Sequence, residues 1–212
     1  MTWALVLVSD YGAAWSVADG NDEARIEAST LSGTLRCHAG EPGRKTTPYS
    51  CTLTAVSVEG EGSGQHRLGE VAAALEGAPT RLDVAPDGRV KRFWSFDVEL
   101  PVELRSFTED AARHLIWCLD LQRPEGDEPS WRQKHNVARI PLQVDHHRTD
   151  AGAEVVSRPS PSTTIHGAWS WDDHGLVASE LAFATLASTG DIPMAGRPET
   201  RRCTATRAPE AP

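Results

Sequence analysis

Large apolar residues recur at every second position over several stretches of this chain. Trp3–Val8 (WALVLV) opens the series. Leu31, Gly33, Leu35 and Cys37 alternate with Ser32, Thr34 and Arg36, and Tyr49, Cys51, Leu53 and Ala55 alternate with Ser50, Thr52 and Thr54. Further on, Trp94, Phe96, Val98 and Leu100 alternate with polar residues; so do Leu115, Trp117, Leu119 and Leu121, though less cleanly, and Ile140, Leu142 and Val144. A period of two places one residue set on one face of a pleated strand. Several such strands with heavy inward faces imply a β-sandwich or barrel core, and the expectation is a mainly-β protein built as an antiparallel β-sandwich. The phase slips at Val56 and Val58, which predicts a β-bulge or a strand buried on both faces.

Turn residues divide these runs. APDG (Ala85–Gly88) predicts a tight turn, making 81–100 a hairpin. VAAALE (Val71–Glu76) favours a short helix. Val102–Ala112 is too polar for a core strand, and Ser106 or Thr108 is placed to cap a single helical turn through Asp110. After Val144 the composition turns to Pro, Ser, Thr and Asp, which reads as a linker. The expected organisation is therefore a sandwich over 1–145, a linker over 146–164, a small segment with an Ala-rich helix over 165–190, and a disordered tail over 191–212.

Charge and cysteine usage narrow the functional classes. A net charge of −9 argues against a nucleic-acid partner or an anionic membrane surface. No apolar stretch is long enough to span a bilayer, and the N-terminal run is short for a secretion signal, so a cytoplasmic location is expected. The four cysteines form no C-x-x-C pair. A Cys37–Cys51 bridge is geometrically open, but free cysteine is commonly buried, so half-buried thiols in a reducing compartment are expected.

Candidate chemistry is sparse. Asp145-His146-His147 has the form of a phosphoesterase triplet, whose carboxylate and imidazoles hold metal ions, but the D-x-D element that completes such a site is missing. His166 and His174 could join His146 and His147 as a transition-metal site, although the spacing fits no standard zinc framework. Gly60–Gly64 has the glycine density of a phosphate loop without its Lys. No G-x-S-x-G elbow or activated cysteine is present. Trp169 and Trp171 put two indoles on one side of an extended segment, either covering the core or forming a stacking platform for a carbohydrate. No catalytic, cofactor-binding or metal-binding residue is assigned, and no cofactor is expected.

Phe96, Val98, Leu100-Pro101, Ser106, Ile116-Trp117-Cys118-Leu119 and Pro141-Leu142-Gln143-Val144 follow the strand phrases of the arrestin-like superfamily. Leu31–Leu35 resembles that family's strand with a central glycine. Over about residues 31–144 the chain thus resembles a bacterial, sporulation-control-like arrestin sandwich. The resemblance implies a non-enzymatic adaptor or scaffold that binds a protein partner through strand edges and a sheet face. The alternatives are a metal-dependent hydrolase using His146, His147, His166 and His174, and a carbohydrate-binding module using Trp169 and Trp171.

Overall fold

The computed structural model describes residues 1–19, 22–120, 127–137, 140–150, 152–160, 163–173, 175–185, 188–189, 192–193 and 199–208. Strands β1 (Thr2–Asp19), β2 (Asp22–Ala39) and β3 (Thr47–Glu61) lead to helix α1 (Leu68–Leu75). The hairpin β4 (Pro79–Val84) and β5 (Val90–Trp94) follows, then helix α2 (Val102–Trp117). The chain continues through β6 (Ser130–Val137), β7 (Ile140–Thr149), β8 (Gly152–Ser160), β9 (Thr163–Asp172) and β10 (Gly175–Thr185). It ends with the short β11 (Ser188–Thr189) and β12 (Ile192–Pro193), and with β13 (Glu199–Arg207). Apart from the β11–β12 pair, these strands form one antiparallel sheet in the order β5-β4-β3-β2-β1-β13-β10-β9-β8-β7-β6.

That sheet is wrapped around α2. On a flat sheet, edge strands β5 and β6 would be separated by ten strand spacings, about 48 Å at roughly 4.8 Å each. Both instead reach Asp120, just beyond α2. The Val90 backbone N–H of β5 donates to Asp120 Oδ1 at 3.0 Å, and Gln133 Nε2 of β6 donates to the Asp120 carbonyl at 3.2 Å. The sheet therefore curls until its edges flank the end of the helix, without pairing with each other.

The alternation along β1 shows how the sequence specifies this. Trp3, Leu5, Leu7, Ser9 and Tyr11 are buried on the concave face, while Ala4 and Val8 face outward. In α2, Leu104, Phe107, Thr108, Ala111, Ala112 and Leu115 recur at helical spacing and are all buried. Ile116 and Trp117 are buried as well, and in the last two turns of the helix Arg113 is the exposed residue.

Several expectations hold at the level of elements. The antiparallel, mainly-β class is present, α1 matches the helix-favouring run, and Ala85–Gly88 turns β4 into β5. The bulge also lies where the phase slips: the β2–β3 register shifts between Ser32 and Thr34, and Ala55 has φ 52°. Glu76, just past α1, clamps it by accepting the Ala55 and Val56 backbone N–H groups at 3.1 and 2.8 Å.

Other expectations are corrected. One sheet around a helix stands where two facing sheets of an arrestin-like sandwich were expected. Leu115–Leu121 is not a strand; its described part is the end of α2 and the turn after it. Consecutive apolar residues there fit a period of two as readily as a fully enclosed helix. Trp94–Leu100 leaves the sheet after Trp94. Residues 146–164, expected as a linker, supply the end of β7, β8 and the start of β9. The Ala-rich run is strand β10, in which Ser179, Leu181 and Phe183 point inward at a period of two. The tail expected to be disordered supplies β13, which lies between β1 and β10 in the middle of the sheet.

The cysteine expectation is overturned too. Cys37 and Cys51 are cross-strand partners in direct register, with Cα atoms 4.2 Å apart, and form a disulfide. Cys118, just after α2, is bonded to Cys203 of β13 and ties the helix to the central strands. All four side chains are buried.

Candidate ligand-binding site

Helix α2 stops before the sheet around it does. Beyond its last turn the concave face continues, leaving a cavity of about 310 Å³. Its lining draws on both halves of the chain: Trp3 from β1, Tyr49 from β3, Leu82 and Val84 from β4, Leu119 after α2, and Trp171 from β9. Thr47 and Asp173 are its main polar side chains. An apolar, concave space at the mouth of a curled sheet, with a few polar groups, has the ordinary make-up of a small-molecule site.

One polar group there lacks a partner. Trp3 is only 9% exposed, and its indole N–H meets no acceptor among the described residues. A buried donor left unsatisfied costs about 1–3 kcal/mol; the nitrogen itself is fully buried, so it is the rest of the Trp3 side chain that lines the cavity.

The middle of α2 carries a different polar arrangement. Arg201 of β13, 5% exposed, is paired with Asp110 of α2 and donates to Glu199 at 2.6 Å. Its guanidinium lies 5.2 Å over the Tyr11 ring, and the Tyr11 hydroxyl is 2.9 Å from Ser29 Oγ. Burial works against the Arg201 charge, and Asp110 and Glu199 more than offset it, so the pKa of the group is raised. His114 Nδ1 lies 2.9 Å from Arg201 and 2.8 Å from the Asp110 carbonyl. A neutral imidazole can accept from the first or donate to the second. Burial, followed by the Arg201 charge, brings its pKa down to about 4. The ring also stacks on Phe183 at 5.5 Å. These groups pair with one another and fix α2 on β13; neither of the described cavities is lined by them.

The histidines considered as metal ligands do not converge. His146 is fully buried, stacked on Trp131 at 5.2 Å and tilted against Trp169 at 5.2 Å. Burial lowers its pKa to about 4. His147, the next residue of the strand, is exposed on the opposite face, as is His166 on β9. His174 lies outside the described residues. Among the described residues no group of three or more His, Cys, Asp or Glu side chains is placed to hold a metal ion. Asp145 of the triplet is engaged across the strands by Arg132 at 2.6 Å, on the exposed face.

The two indoles of β9 have separate fates. Trp169 is buried in the core, and the absence of a side chain at Gly167 gives its ring room, since a Cβ there would come within 2.5 Å of it. Trp171, half-buried at the end of the strand, lines the cavity. The glycine-rich loop is the connection from β3 toward α1. Gly62 has φ 109° and lies against the Arg25 carbonyl, and Gly64 N–H donates to that carbonyl at 2.8 Å.

Sequence reasoning missed Trp3, Tyr49, Leu82, Val84 and Leu119 as site residues, having read most of them only as strand positions. Trp171 was the one signal available, as an indole at the polar end of an alternating segment.

No family model and no curated protein matches the chain. The solved structure described as "Lipid-protein interactions in lipovitellin" is similar over 100% of this chain, with a TM-score of 0.50 and 11% identity. The chain spans 26% of that lipovitellin chain, and the likeness is one of fold.

Proposed function

We propose that the protein is a non-enzymatic binding protein that takes an apolar small molecule into the cavity beyond α2. The observation that carries this reading is the concave, mostly apolar lining of that cavity, drawn from both halves of the chain. Burial of a ligand there removes apolar surface from water, at roughly 25 cal/mol per Å². The lipovitellin structure is described by its lipid–protein interactions, and a similar curled sheet supports a ligand of that general kind. The two disulfides favour an oxidising compartment as its place of work. Titration with the uncharged fluorophore N-phenyl-1-naphthylamine tests the reading. Saturable one-to-one binding is expected, and Val84→Trp, which fills the cavity, abolishes it. Binding that survives this substitution in a folded variant contradicts the assignment.

A second reading, a protein partner docking on a strand edge, is favoured by Trp94 at the end of edge strand β5. Its indole is 40% exposed, with the Arg81 guanidinium 4.8 Å over the ring. It calls for a partner whose capture is lost in Trp94→Ser.

A further inference from the structure

The head group of the ligand can be assigned from a second cleft, an inference that rests on the cavity reading above. Val90, at the start of β5, lines both the apolar cavity and an adjoining cleft of about 470 Å³. This cleft lies between β5 and the last turns of α2, on the β5 side of the gap between the sheet edges. Lys91 and Arg92 from β5 and Arg113 from α2 line it, together with Phe93, Trp117 and Asp120. All three cations are exposed, and none makes an ion pair among the described residues.

The chain carries a net charge of −9, and several of its other arginines are paired, among them Arg67, Arg81, Arg132, Arg201, Arg202 and Arg207. Three cations against one carboxylate around one cleft are therefore a local reversal of the overall charge. The single carboxylate among them, Asp120, already accepts the Val90 N–H. Phe93 and Trp117 give the cleft an apolar wall, which lowers the local dielectric and strengthens attraction for an anion.

We propose that the ligand is a single-chain amphiphile with an acidic head group. Its tail enters the apolar cavity, and its head group is held at the adjoining cleft by Lys91, Arg92 and Arg113. The Val90 end of β5 is where tail and head would meet, because it borders both spaces.

Calorimetric titration with dodecanoate, dodecyl phosphate and dodecanol, below their aggregation concentrations, separates the parts of this assignment. Wild-type protein is expected to bind at least one of the acids about tenfold more tightly than the alcohol, and the stronger acid arm identifies the head group. The preference should shrink as sodium chloride rises from about 0.02 to about 0.5 M. In Lys91→Gln/Arg92→Gln/Arg113→Gln the acids fall to the affinity of the alcohol, whose own binding is unchanged. If the triple variant does not fold, Arg113→Gln alone should reduce the preference. Equal binding of acid and alcohol by the wild type, or a preference that survives the substitutions, overturns the head-group assignment and leaves the cavity standing. Failure of all three to bind overturns the cavity reading itself.

Discussion

The middle and the C-terminal end of α2 lie on the same concave face, yet their polar groups are treated in opposite ways. In the middle, Arg201, Asp110, Glu199 and Tyr11 engage one another inside the wrapped sheet. At the end, the helix stops short, space remains, and the Trp3 indole N–H is left over. The difference separates a group of residues that fixes the fold from one available to a ligand. Buried charge by itself does not mark a site; a concave, mostly apolar space left open beyond the helix is the stronger sign.

The largest expected effect falls on the helix-fixing side. Arg201→Leu leaves Asp110 without its partner, and urea unfolding should show a loss of about 3–5 kcal/mol. Ligand affinity of the folded fraction should be unchanged. A variant as stable as wild type would break the contrast at once.

Replacing Cys118 and Cys203 together by Ala releases α2 from β13. A loss of about 2–4 kcal/mol is expected from the long loop this bridge closes. The Cys37/Cys51 pair closes a loop of sequence separation 14 and should cost less. The second bridge borders the cavity through Cys37, so its removal should also alter probe affinity.

Acid sharpens the comparison further. His114 and His146 have pKa values of about 4 in the folded protein, against about 6.5 when unfolded. Their contribution is fully present above pH 6.5 and is lost as pH falls through that window to 4, about 3 kcal/mol for each ring. His146→Phe keeps the stack with Trp131 and should remove its share of the slope. Asp120 acts with the opposite sign. Burial raises its pKa to about 6, so its contribution is present at low pH and lost as pH rises from about 4 through 6. Asp120→Asn should therefore stabilise the protein above pH 6, by about 3 kcal/mol, with little effect below pH 4. Melting temperatures measured across this range check both signs.

The smallest stability effect is expected at the cavity. Trp3→Phe removes the unsatisfied N–H and keeps most of the ring, so stability should change by less than about 1 kcal/mol. Ligand affinity should change little, because the indole nitrogen is buried and most of the ring that lines the cavity is kept.

Much of the sheet was legible because one face of each early strand is buried. Leu31, Leu35, Cys37, Cys51 and Leu53 alternate cleanly and all point inward. The bulge at Ala55 was visible as a phase slip. Helix α2 was hidden because His114–Leu119 is buried on every side, so neither period stands out. The helical spacing of Leu104, Phe107, Ala111 and Leu115 was present, but polar neighbours masked it. Strand β10 was obscured by alanines that favour helix, although tertiary pairing on both sides decides the outcome. The cavity was not legible at all. Trp3, Val84, Leu119 and Trp171 are remote in sequence and meet only because the sheet curls, a property of the assembled strands. Trp171 alone stood out beforehand, and its use differs from that of its neighbour Trp169.

The indole N–H resonances of the seven tryptophans offer the most direct test of the cavity. In ¹H–¹⁵N spectra, adding dodecanoate or dodecanol should shift the signals of Trp3 and Trp171, whose side chains line the cavity. Trp15, packed beside Phe107 toward the other end of α2, should not move. Unchanged Trp3 and Trp171 signals at saturating ligand, or equal shifts at Trp15, would contradict a binding site beyond the helix.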